Sequence, residues 1–227
     1  ILPDDYLKAV GDAVHAVGGL FVLDCIASGT VWVDMQACSV DVLVSAPQKG
    51  WSAEPGCALV MLSERAHHHI ATTTSSSFAC DLKKWLQIME AFENGGHAYH
   101  TTMPTGALTR LRDVMAEMQA YGFAKLKGEQ WALGRAVRAM LEARGIKSVA
   151  AEGFKAPGVV VSYTDDVGVH NASKFAALGL QTAAGVPLQC DEPADFRTFR
   201  LGLFGLDKLH NVERSVANLA QAFDQLG

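Results

Sequence analysis

The sequence predicts an α/β region followed by a smaller α+β region, and three observations carry that reading. Two short, nearly all-apolar runs, Gly19-Leu-Phe-Val-Leu-Asp24 and Val42-Leu-Val-Ser-Ala-Pro47, are bounded by Gly or Pro, as buried strands of a parallel sheet are. Two long helical periodicities cover residues 105–121 and 125–144, the second stopping at Gly145. The tail then alternates: a strand at 158–163, a helix near 169–178, a strand at 198–203, and a last helix carrying Val212, Val216, Leu219 and Phe223. The remaining elements follow in order. Tyr6, Val10, Ala13, Val14 and Val17 form one helical stripe, closed by Gly18-Gly19. Strands are expected near 20–24, 41–45 and 57–62, the last leaving a Pro55-Gly56 turn. A helix near 81–93 presents Leu82, Trp85, Leu86 and Met89, and the 105–121 helix presents Leu108, Leu111, Met115 and Met118 as a core stripe.

Composition excludes several classes. Hydrophobic residues make up 49% and charged residues 19%, enough apolar material for a substantial core. The net charge is -5 and Lys and Arg are scattered, so no basic face for nucleic acid is expected. No apolar run reaches the roughly 18–20 residues that cross a membrane, and no charged-then-apolar leader opens the chain. The five cysteines, Cys25, Cys38, Cys57, Cys80 and Cys190, are widely spaced with no C-x-x-C. They read as reduced, mostly buried thiols of a cytoplasmic protein. His67-His68-His69 is no metal site, because consecutive residues on a helix point in three directions. Thr72-Thr-Thr-Ser-Ser-Ser77 reads as a polar loop, and no G-x-G-x-x-G or Walker loop occurs.

The chemistry-bearing residues lie where the strands end. Asp24 closes the first apolar run, and Lys49 follows the second in Pro47-Gln48-Lys49-Gly50. Taken alone, a Lys after a strand is a solvated loop residue and an Asp there is a turn former. The C-terminal edge of a parallel sheet is, however, where open α/β folds place ligands. An amine and a carboxylate there suit pyridoxal 5'-phosphate (PLP): one forms an imine, the other holds the pyridine nitrogen protonated. Arg200 stands inside the apolar strand Thr198-Phe-Arg-Leu-Gly-Leu-Phe204, where it needs a partner: a structural Asp or a bound carboxylate. Arg197 is its nearest competitor. In Tyr99-His-Thr-Thr102-Met-Pro104, Thr102 or Thr105 could simply cap the following helix.

Four stretches together resemble the class V aminotransferases of PLP fold type I, most closely the alanine/serine–glyoxylate (or pyruvate) branch. They are Leu23-Asp24-Cys-Ile26-Ala-Ser-Gly29, then Ser45-Ala-Pro-Gln48-Lys49 with Glu54-Pro55-Gly56, then Ala98-Tyr99-His-Thr-Thr102-Met-Pro104, and Phe199-Arg200-Leu-Gly202-Leu-Phe-Gly205. The resemblance implies that Lys49 forms the Schiff base with PLP, Asp24 pairs with the pyridine nitrogen and Ile26 packs under the ring. It implies a polar contact from Gln48 near the phosphate or ring oxygen. Tyr99 and Thr102 would reach the phosphate in the other subunit of a homodimer, and Arg200 would grip the substrate α-carboxylate. The implied reaction moves an amino group from alanine or serine to glyoxylate or pyruvate. A class V lyase, of the desulfurase or kynureninase kind, would use the same Lys49 and Asp24. Desulfurases usually carry a His before the lysine and a late catalytic Cys, where this chain has Gln48 and only Cys190.

The family's pattern has a large portion ahead of the point where this sequence starts. It supplies a Gly/Ser/Thr-rich phosphate loop and the aromatic residue that stacks on the ring. The chain is therefore expected to match roughly the C-terminal three-fifths of such an enzyme, as a truncated chain or as an inactive fragment without cofactor. In that frame residues 1–104 are the C-terminal half of the large PLP-binding domain, 105–145 are connecting long helices, and 146–227 are the small C-terminal domain.

Overall fold

A computed structural model describes residues 1–226. Helix α1 (Asp4–Ala16) carries Asp4 and Asp5 in its first turn and His15 in its last, matching the helix dipole at both ends. Strands β1 (Val22–Asp24), β2 (Val42–Ser45) and β3 (Leu59–Leu62) form a sheet in that order. β1 and β2 run parallel, with Asp24 opposite Val44, whereas β3 returns antiparallel to β2. The parallel pairing brings the C-terminal ends of β1 and β2 to one edge.

Two expectations for this region need correction. The buried face of α1 is Leu7 and Gly11, not the stripe through Tyr6 and Val17, which are 49% and 84% exposed. A Cβ on Gly11 would lie 2.7 Å from the Cys38 carbonyl oxygen, so a turn seats against this small residue and fixes the helix rotation. β1 is also not a buried strand. Val22 is 58% exposed, because among the described residues β1 has a neighbour on one side only.

Helix α2 (Glu64–Ala71) is capped by Ser63, whose hydroxyl accepts from the Ala66 amide at 3.1 Å. A polar loop follows, and Asp81 caps α3 (Leu82–Glu93) by accepting from the Lys84 amide. α3 buries none of its residues despite its amphipathic pattern. α4 (Thr105–Tyr121) and α5 (Phe123–Glu142) meet at Gly122, whose φ of 105° only glycine adopts readily.

The second sheet contains β4 (Val159–Tyr163), β5 (Ala183–Ala184) and β6 (Thr198–Gly202), ordered β4-β6-β5 and antiparallel throughout. The single helix expected near 169–178 is two short ones, α6 (Val167–His170) and α7 (Ser173–Ala177). Asp166 caps the first through the Gly168 and Val169 amides, and Ala172, at φ 65°, breaks the chain between them. α8 (Leu206–Leu209) and α9 (Val212–Asp224) complete the chain order.

The main core is built from Val114 and Met118 of α4, Leu126, Leu133 and Val137 of α5, and Val160, Phe199 and Leu201 of the second sheet. Phe175, Phe199 and Phe223 meet in it with ring centroids 5.5–5.9 Å apart. A smaller core of Leu7, Cys38, Val40 and Leu43 lies under the first sheet. The cysteines are less buried than expected: Cys38 is buried, Cys25 and Cys57 partly so, and Cys80 and Cys190 stand exposed on loops. Among the described residues no helix is long and apolar enough to cross a membrane.

Candidate active site

Asp24 ends β1 and is exposed; its Oδ1 accepts from the Ile26 amide at 2.8 Å, which turns the chain away from the sheet. Ile26 is itself half-buried in that turn. Lys49 lies in the turn after β2, where the Ser52 amide donates to the Lys49 carbonyl and the Ala53 amide to that of Pro47. Its half-buried side chain ends 5.8 Å from the centroid of the Phe204 ring. Gln48, beside it, is exposed.

The loops after β1 and β2 touch closely. A Cβ on Gly50 would sit 2.1 Å from the Gly29 carbonyl oxygen, so backbone packs on backbone next to Lys49. Gly29 has φ +70°, and Thr30 behind it donates to the Leu126 carbonyl of α5 at 3.0 Å. Trp32 and Trp51, one on each loop, stack at 4.9 Å and both meet Phe123, and the Trp32 indole donates to the Phe123 carbonyl. Burial pushes the Cys25 thiol above its ordinary value, with the Asp24 charge adding to the effect, so this thiol stays protonated near neutral pH.

Arg200 lies on β6, half-buried, and its Nε donates to the Ala184 carbonyl of β5 at 2.9 Å. The structural Asp partner considered for it is not there. Among the described residues Asp24, Lys49 and Arg200 form no ion pair. The Nε bond orients the guanidinium while both Nη groups keep their donors, a fork suited to a carboxylate.

Tyr99 and Thr102 lie on the loop before α4, with the two hydroxyls 3.3 Å apart and Tyr99 72% exposed. Neither Thr102 nor Thr105 caps α4: Pro104 holds that position, without a side-chain bond. Among the described residues no contact brings these two to Asp24 and Lys49. The structure thus gathers the two loops bearing Asp24 and Lys49, and brings the ring of Phe204, four residues beyond Arg200, over Lys49.

Sequence reasoning missed Gln130. It is fully buried on α5, and its Nε2 donates to the Pro157 and Leu203 carbonyls at 3.1 and 3.3 Å. The signal was present: Leu126, Gln130, Leu133 and Val137 follow the core stripe of α5, and an amide on such a stripe requires partners.

The donor set fits PLP. Among the described residues Asp24 offers a carboxylate with no ion-paired cation, and Lys49 an amine with no ion-paired carboxylate.

No protein-family model matches the chain. The small subunit of a soluble hydrogenase from Synechococcus sp. is 28% identical over 97% of this chain and 56% of that protein. The alanine–glyoxylate aminotransferase of Felis catus is 32% identical over 61% of this chain and 33% of that enzyme. Among solved structures, an alanine–glyoxylate aminotransferase from Nostoc sp. superposes with a TM-score of 0.80 at 21% identity, over 97% of this chain and 57% of that one. The chain therefore spans little more than half the length of these relatives, or less. With 97% of its residues matched in fold to one aminotransferase and 61% matched in sequence to another, the chain has the α/β fold of the class V aminotransferases and is similar to them in sequence.

Proposed function

We propose that the chain carries the Lys49–Asp24 part of a PLP-dependent transaminase that moves an amino group from alanine or serine to glyoxylate or pyruvate. The observation that carries this reading is the set of three charged side chains, Asp24, Lys49 and Arg200, standing after β1, after β2 and on β6 with no ion-pair partner among the described residues. When bound, PLP supplies an electron sink for the charge left when a Cα proton departs. Asp24 would hold the pyridine nitrogen protonated, a task for a carboxylate that a neutral amide could not perform. Lys49 Nζ takes the proton from the substrate Cα, and its half-buried side chain stands over the ring of Phe204. Arg200 binds the α-carboxylate with both Nη groups and so fixes which bond faces Lys49. Ile26 would support the ring face, and Gln48 would provide a polar contact to the phosphate or ring oxygen.

Tyr99 and Thr102 serve the site of a second copy in a homodimer, in this reading. The support is α3, whose face carrying Met89 and Phe92, 57% and 56% exposed, is covered by nothing among the described residues, with Phe78 and Tyr99 also exposed. Residues 1–104 then belong to the large domain, 105–145 connect, and the rest forms the small domain. The free cysteines accord with a cytoplasmic setting.

The test is made on the polypeptide as its gene encodes it. With PLP and alanine plus glyoxylate it should turn over, and borohydride should fix PLP on the Lys49 peptide. Lys49→Ala should abolish transamination; unchanged turnover in that variant overturns the assignment.

A further inference from the structure

We propose that Gln130 is a positioning residue of this site, coupling the Lys49 loop to the strand that carries Arg200. The inference rests on the functional reading above for its meaning, but its geometry is independent of it. Gln130 has three attachments. Its Nε2 donates to the Leu203 carbonyl, at the end of β6 three residues beyond Arg200, and to the Pro157 carbonyl at the foot of β4. Its Oε1 has no hydrogen-bond partner and lies where a Cβ on Gly29 would come to 2.6 Å. Gly29 in turn bears on Gly50, the residue after Lys49.

The second sheet reinforces the same joint. The Leu203 amide donates to the Gly158 carbonyl at 2.9 Å, and a Cβ on Gly158 would lie 3.0 Å from the ring of Phe204. That ring is the one over which Lys49 Nζ stands. One buried amide therefore sits between the Asp24 loop, the Lys49 turn and the Arg200 strand. Its arrangement has a single solution: the NH2 group satisfies two backbone carbonyls of the second sheet, and the oxygen end bears on a residue without a side chain. Moving β6 pulls on Leu203, hence on Gln130, hence on Gly29 and the backbone beside Lys49. A carboxylate gripped by Arg200 and the amine of Lys49 are thus held in one frame.

The experiment compares Gln130→Met, nearly isosteric but without donors, with Val137→Ala, a buried change about two turns further along the same helix. Both lower the melting temperature. Gln130→Met should also slow borohydride-trapped attachment of PLP to Lys49 and raise the alanine KM, each by about tenfold, the scale of a misplacement under about 1 Å. Val137→Ala should change neither. A readout free of cofactor uses a Trp85→Phe, Trp131→Phe background, in which only Trp32 and Trp51 emit. Gln130→Met should shift that emission and Val137→Ala should not. If Gln130→Met fails to fold, Thr30→Val, which loosens the same loop from α5, takes its place with a smaller effect in the same direction. Gln130 variants that match Val137→Ala in attachment, KM and emission overturn the proposal. If the unmodified protein attaches no PLP, the functional reading fails, and the emission comparison alone decides the coupling.

Discussion

Adding one methyl group at Gly50 should damage the site more than its size suggests. In Gly50→Ala the new Cβ would lie 2.1 Å from the Gly29 oxygen, 2.5 Å from its carbonyl carbon and 3.0 Å from its Cα. All three are backbone atoms, so no rotamer can relieve the clash. Ordinary carbon contacts begin near about 3.5 Å, so the two loops must part by about 1 Å. Gly29 cannot yield backwards, because Gln130 Oε1 lies behind it and Thr30 is bonded to Leu126. Overpacking a closed core costs about 1–3 kcal/mol, and a rigid backbone contact places this case near about 3 kcal/mol. The assay pairs urea unfolding with trapping of PLP on Lys49. Unfolding should be easier by that amount, and attachment slower by about tenfold or more, because a displacement of about 1 Å at a reacting group costs up to about a hundredfold. A Gly50→Ala protein within about 0.5 kcal/mol of the parent, with unchanged attachment, would show that the loops do not bear on each other.

Other changes test separate parts of the molecule. Arg200→Lys keeps the charge but loses the fork, so the KM for the amino acid should rise at least about tenfold, read by steady-state kinetics. Asp41, buried at the opposite end of β2, accepts from His15, the Phe21 amide, Ser63 and Arg65 at 2.7–3.2 Å. Burial alone would raise its pKa, but these donors outweigh it and hold the carboxyl below the ordinary 3.8. A lowered folded-state pKa stabilises above 3.8 and the gain is lost as pH falls through the folded value. Asp41→Ala should therefore cost about 2–3 kcal/mol at neutral pH, and its chemical-melt midpoint should depend less on pH below 3.8 than the parent's. Glu192 gathers the Leu188, Gln189 and Cys190 amides, and these backbone donors lower its pKa to about 2. In Glu192→Ala those three amides should exchange with solvent deuterium faster, with the rest of the chain unchanged. Phe199→Ala removes the partner of Phe175 and Phe223 and should lower stability by about 3–5 kcal/mol in urea unfolding.

The elements were legible where periodicity and punctuation agreed. The long α4 and α5, their breaks at Gly122 and Gly145, and the strands around Asp24 and Ser45 all lie close to the positions their patterns indicate. What escaped was decided by contacts distant in sequence. The rotation of α1 is set by the turn at Cys38, and the exposure of β1 by the absence of a second neighbour among the described residues. The break between α6 and α7 falls at Ala172, at φ 65°, while Asp166 caps one helix and pairs with Lys174 of the other at 2.6 Å. The core stripe of α5 marks Gln130 as buried, but its partners lie 27 and 73 positions away, beyond the reach of any local pattern.

The two halves of the molecule are unequal in a way that bears on Lys49. Four buried side chains form the core under the first sheet, against fifteen in the main core. Burial of each large side chain contributes about 1.5–3 kcal/mol, so most of the stability resides with α4, α5 and the second sheet. Asp24 and Lys49, however, sit on loops that leave the weaker sheet. Those loops lean on the stronger half: Trp32 and Trp51 pack against the main core, Thr30 bonds to α5, and Gly29 rests on Gln130. The placement of Lys49 therefore depends on α5 more than on the strand that precedes it. Loosening that support should disturb Lys49 well before the core unfolds, so along a urea series PLP attachment should be lost ahead of helical circular dichroism. Coincident transitions would mean that the first sheet holds Lys49 by itself.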